Sequence, residues 1–267
     1  MSERPIVFKA LHQAIDCFSI LTETYDFIKK HKLWRGFLKN RWILVLTVVV
    51  SILFSIIIFS RLLDPTFISD ALAEDGASVQ KSGFGLLLLE GDKIFFSGGI
   101  KYLLLIVLEV LMFHVAVRTL SILRNQEINL DAKDFLRAEI RMVKVVIRSF
   151  ILGLIPLVIL KILFGIIGLS DFTNIPMFFV YSYYLGFAFF DNYNEQFGLT
   201  IKESAALTKE NMGAAVMLGI AAHVILIVPI VGAIIMPIFC AVAATLYGHK
   251  DNDYIVGRVE LDPLLLD

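Results

Sequence analysis

Hydrophobic positions in this chain gather into long blocks separated by charged stretches. Trp42–Ser60 is the cleanest block, with no charged residue in it. A helix needs roughly 20 apolar residues to cross a bilayer core, so this block predicts a transmembrane span. Trp42 suits the headgroup level at its start, and Thr47, Ser51 and Ser55 recur every fourth position as a small face for helix packing. Ile94–Val117 predicts a second span, with Gly98 and Gly99 near its start. Residues 145–190 are nearly continuously apolar and predict two helices joined near 169–175. Residues 213–247 are almost uncharged. As one helix they would reach about 52 Å, far beyond a bilayer core. Pro229, Gly232 and Pro237 interrupt them, and Pro156 interrupts the preceding block. Both regions therefore predict Pro-broken helical hairpins, either crossing the membrane or re-entering it.

Two segments carry a helical stripe instead of a block. In residues 6–30, Phe8, Leu11, Ile15, Phe18, Tyr25 and Ile28 share one face. After Asp131, a plausible N-cap, Leu136, Ile140, Val143 and Ile147 do the same, with Arg137, Arg141, Lys144 and Arg148 one position along. Both predict amphipathic helices at a membrane surface. Thr200 and Glu203 make a capping-box pattern that starts a short polar helix. The expected fold is one all-α integral membrane domain over residues 1–267, with two long transmembrane helices, two hairpins and interfacial helices.

Composition agrees: 58% of the 267 residues are hydrophobic, and mean hydropathy is +0.79. The net charge of −1 argues against a nucleic-acid partner, but its distribution is uneven. Residues 1–41 hold eight Lys/Arg and 118–148 hold seven, against three in 61–93. The first two regions are expected on the cytoplasmic side. Each hairpin returns the chain to the side it left, so both termini, including the tail 248–267, are expected there too. The first apolar block starts too far along for a signal peptide, so no cleaved leader is expected. Cys17 and Cys240 are expected as unpaired, buried thiols.

No catalytic constellation emerges. The five histidines are scattered, no Cys/His pair has zinc spacing, and there is no phosphate-binding glycine loop or nucleophile elbow. No enzyme activity, metal or cofactor is expected. The candidate functional groups are ionisable residues within apolar sequence: Lys101, Glu109, His114, Lys161 and His223. Such groups face protein or water rather than lipid. A Glu109–Lys161 pair across helices is one expectation, lining or gating an ion path. A purely structural pair, or a snorkelling Lys161, is the other.

The order of several pieces resembles one membrane family, which unites CysZ-type sulfate permeases with the eukaryotic etoposide-induced protein. These pieces are the Pro156 segment, Asp191-Asn192-Tyr193 after an aromatic run, the polar helix 200–211, Ile227-Val228-Pro229-Ile230-Val231, Met236-Pro237 and Ala243-Ala244-Thr245. The resemblance is best over about residues 135–247. It implies two long transmembrane helices with two partly penetrating hairpins, a homo-oligomer, a bacterial inner-membrane setting and transport of a small anion such as sulfate. The alternative is a non-transporting protein that organises membrane or binds lipid, as the eukaryotic branch allows. The family's Gly-Leu-Arg anion motif falls on Lys32-Leu33-Trp34-Arg35. Leu33 matches, Lys32 stands at the glycine, and Trp34 stands at the arginine with Arg35 beside it. Lysine brings charge but is expected to lack glycine's backbone freedom.

Overall fold

The computed structural model describes residues 6–33, 45, 49, 52, 100–126, 132–168 and 170–250. Among these residues the chain is entirely helical. Seven α-helices follow one another: α1 (Ile6–His31), α2 (Ile100–Arg124), α3 (Ala132–Ile166), α4 (Asn174–Glu195), α5 (Ile201–Glu210), α6 (Met212–Leu226) and α7 (Pro229–Lys250). A single 3-10 turn, Ser170–Thr173, joins α3 to α4. The span expected at 42–60 lies outside the described residues, apart from the exposed Val45, Val49 and Ile52. Residues 251–267 also lie outside them.

The centre of the bundle is the antiparallel pair α4 and α6. Gly186 meets the Ala215 backbone, and Gly219 meets the Ser182 backbone. Ser182 and Gly186 are four apart on α4, as are Ala215 and Gly219 on α6. Each helix thus offers two small residues in register with the other's, and the backbones come into contact. Gly213 makes a similar approach to Ala10 of α1. Gln13 secures that crossing from the side: its amide nitrogen donates to the Glu210 carbonyl at 2.7 Å, and its Oε1 accepts from the Gly213 N–H at 3.2 Å. That second bond satisfies one of the N–H groups left open at the start of α6. At its other end α1 is tied to α7 by Glu23 and Lys250, 2.7 Å apart.

The α6–α7 hairpin turns at Ile227 and Val228. Pro229 opens α7, where its missing N–H costs nothing. Gly232 lets that first turn pass over the Ile225 carbonyl. The other two prolines depart from expectation. Pro156 and Pro237 lie inside helices that continue past them, so neither breaks a hairpin. A proline removes one helical hydrogen bond, and here each helix is long enough to hold its course on both sides. The arms are also unequal. α6 spans about 22 Å, but α7 reaches about 33 Å, enough for a bilayer core. The expected boundary between an interfacial helix and the first hairpin is absent, because α3 runs unbroken for 35 residues.

Two described helices, over Leu136–Ile166 and Val231–Lys250, are long and apolar enough to cross a membrane. Their surroundings differ. The apolar window of the second is 67% buried, like a core helix, whereas that of the first is only 11% buried. The two amphipathic stripes also point outward. On α1, Phe8, Leu11, Ile15, Phe18 and Tyr25 are exposed, while Gln13, Cys17, Ile20 and Thr24 are buried. On α3, Leu136, Ile140 and Ile147 are exposed, while Ala138, Met142, Val145 and Ser149 are buried. Helices in water hide the greasier face; these hide the smaller and more polar one. Cys17 and Cys240 are both free and buried, as expected.

The C-terminal ends of α1 and α2 close in the same way. Lys32 takes φ +49° and the Leu33 N–H donates to the Ile28 carbonyl at 3.3 Å; Asn125 takes φ +53° and the Gln126 N–H donates to the Ser121 carbonyl at 3.1 Å. These are Schellman closures, which favour glycine or asparagine at the left-handed position. Lys32 therefore does adopt the conformation a glycine would take, against the expectation for lysine, because burial of Leu33 holds the turn. Relief of that strain should make Lys32→Gly more stable by about 1 kcal/mol, read as a rise in the thermal midpoint of the detergent-solubilised chain.

Candidate charged site between α2, α3 and α4

The inward side of α3 includes a charged residue. Arg141 lies between Ala138 and Val145 on that face, and its guanidinium grips Asp191 of α4 with both arms. Nε is 2.8 Å from Oδ2 and Nη2 is 2.8 Å from Oδ1. Its remaining nitrogen, Nη1, donates to the Leu199 carbonyl at 2.6 Å. Fork-to-fork pairing of this kind fixes direction as well as charge. Glu195, one turn beyond Asp191, is 3.7 Å from Arg141. It lies past the 145–190 hairpin, and burial pushes its carboxyl up to about 7. Arg141 and Arg137 oppose that rise, and Asp191 adds to it.

One position along α4, Asn192 faces α2. Its amide nitrogen donates to Glu109 Oε2 at 3.2 Å. Glu109 is 1% exposed and Asn192 is equally buried, and the side-chain amide oxygen Oδ1 of Asn192 accepts no hydrogen bond among the described residues. Glu109, Asp191 and Glu195 thus form three acidic positions around one guanidinium, a polar seam running inward from α3 through α4 to α2.

Outside Arg141 the seam opens into a cleft of about 490 Å³ between α3 and α5. Lys133, Arg137 and Lys144 line it with Arg141, facing Glu195 and Thr200. Arg137 also reaches Asp134 at 3.9 Å, a weak exposed pair. Thr200 begins α5 with a full capping box: its hydroxyl accepts from the Glu203 N–H, and the Glu203 carboxylate accepts from the Thr200 N–H at 2.8 Å. This cap was legible in the sequence, and it holds the far wall of the cleft.

The intramembrane candidates from the sequence do not come together. Lys161 is exposed on α3, whereas Glu109 is buried against Asn192, so the expected Glu109–Lys161 pair is not formed. The partner of Glu109 is an amide, which no count of charges along the chain could have identified. His223 packs its ring on Phe178 at 5.5 Å and lies 3.4 Å from the Ser182 hydroxyl, deep in the α4–α6 contact. His114 is half-buried on α2, five residues past Glu109. Lys101 belongs to α2, but its side chain, like Trp34 and Arg35, lies outside the described residues. Leu33 is buried. No cluster that could hold a metal ion occurs among the described residues. No family model, curated protein or solved structure matches this chain.

Proposed function

We propose that this chain is an integral membrane protein and a CysZ-like permease for a small anion such as sulfate. The observation that carries the reading is the basic cleft at Lys133, Arg137 and Lys144, which ends on the buried Arg141–Asp191 pair. Three exposed cations at the mouth concentrate anions locally. The inner end is closed by an arginine already committed to a carboxylate, so an anion would pass only when that pair opens. Burial raises the Glu195 carboxyl, and its protonation would reduce the repulsion an anion meets there. The outward apolar stripes of α1 and α3 and the barely buried window of α3 support a bilayer around the bundle. The resemblance over residues 135–247 supports the substrate class. Under this reading the basic ends of α1 and α3 face the cytoplasm of a bacterial inner membrane, and the protein works as a homo-oligomer without enzyme activity.

The test is uptake of labelled sulfate by proteoliposomes holding the full chain. Arg137→Ala with Lys144→Ala should lower uptake at least about tenfold at low salt, and less at high salt, where long-range attraction is screened. Glu109→Gln should also change flux or selectivity, since it replaces the innermost acidic group of the seam. Uptake no faster than in empty liposomes would remove the transport reading. A clear effect of the protein on lipid distribution would then favour the membrane-organising alternative, which the outward apolar stripes already fit.

A further inference from the structure

A second cavity, of about 460 Å³, lies further along α3 from the seam, between α1, α3, α4 and α6. Its walls are apolar: Ala10 and Ala14 from α1, Pro156 from α3, Phe179 from α4, and the rings of Tyr183 and Tyr184. Small residues on α1 leave the space open, and Ile155, next to Pro156 on α3, is exposed. Arg148 lies two turns before Pro156 on α3, within electrostatic reach of both Tyr183 and Tyr184. It makes no ion pair among the described residues. The cavity is thus a greasy slot with a half-buried arginine, unpaired among the described residues, near the two tyrosines that help to line it.

We propose that this slot binds one anionic phospholipid, its phosphate at Arg148 and an acyl chain between Pro156 and Ala14. The occupant follows from charge and shape together. A neutral lipid would leave Arg148 without a partner, and a free inorganic anion would leave the apolar walls unfilled. Tyrosines suit the boundary, since the ring packs against hydrocarbon while the hydroxyl stays at a polar level. The slot lies in the usual range of small-molecule sites, ~300–1,000 Å³. The inference rests on the membrane part of the proposed function and is independent of transport.

The test uses the full chain in mild detergent, delipidated and then titrated with phosphatidylglycerol or phosphatidylcholine, with bound lipid counted by native mass spectrometry. One phosphatidylglycerol should bind in preference to phosphatidylcholine. Arg148→Ala should reduce that preference about fivefold, the usual weight of one basic residue near an anionic headgroup, and leave phosphatidylcholine binding as it was. Arg148→Lys should keep most of the preference. Ala14→Leu should fill the slot and reduce binding of both lipids. An unchanged preference in Arg148→Ala, or unchanged binding in Ala14→Leu, would overturn the site. So would displacement of the lipid by millimolar inorganic phosphate, which would make Arg148 a free-anion site. If the unmodified chain stays monodisperse in buffer without detergent, the membrane reading itself fails, a result distinct from any loss of lipid preference.

Discussion

Asp191→Ala is expected to destabilise the protein by roughly 3–5 kcal/mol, because it removes one partner of a buried ion pair and leaves the other charged. Arg141 would then sit among Ala138, Met142 and Val145 with only the Leu199 carbonyl at close range and Glu195 at 3.7 Å. The desolvation of the guanidinium would have no bidentate acceptor to offset it. Arg141→Ala should be comparably costly from the other side, since Asp191 is itself almost wholly buried. Replacing both, as Arg141→Met with Asp191→Leu, should recover most of the loss, because neither charge is then stranded. Thermal unfolding of the four proteins in one detergent compares a stranded charge with removal of the whole pair. Two single variants that cost under 1 kcal/mol each would show that water reaches the pair freely. The closed inner end of the basic cleft would then have to be abandoned.

The same pair marks where the sequence stopped being informative. Arg137, Arg141, Lys144 and Arg148 recur at equivalent steps on α3, and nothing in their spacing distinguishes the one that turns inward. The distinction comes from the buried surface of Ala138, Met142, Val145 and Ser149, which is less hydrophobic than the exposed stripe beside it. Periodicity located the stripe correctly, yet it does not say whether water or lipid lies outside. Reading the greasier face as the inward one would have inverted both α1 and α3. The helix ends were more legible. Thr200 and Glu203 announce α5 through local hydrogen bonds, and Pro229 with Gly232 announces α7 through backbone geometry. Pro156 and Pro237 show the limit of that logic: a proline makes a helix costlier without ending it when neighbouring packing is favourable. Contacts between positions far apart in the chain, such as Gln13 with Glu210 or Glu109 with Asn192, left no local trace at all.

The α4–α6 contact was hidden for a different reason, and it carries the second large effect. Glycines in apolar sequence have several uses, and only the register of two helices shows that Gly186 and Gly219 each lie against the opposite backbone. At Gly219 an added Cβ would fall on the Ser182 carbonyl oxygen, so no side-chain adjustment can make room. The helices would have to separate. Overpacked sites usually cost 1–3 kcal/mol and occasionally more. Gly219→Val places a branched side chain against the Ser182 backbone, and a loss beyond about 3 kcal/mol is expected, together with failure to extract a monodisperse protein. Gly219→Ala should fall between the variant and the unmodified chain. By contrast, Gly165 has open space around its Cβ position, and Gly165→Ala should be neutral or slightly stabilising, since alanine is the better helix former by about 1 kcal/mol. Extraction yield and thermal midpoint of the three variants, compared in parallel, separate a backbone contact from a general intolerance of bulk. Equal behaviour of Gly219→Val and Gly165→Ala would mean that α4 and α6 do not touch along this register, and the bundle would need a different centre.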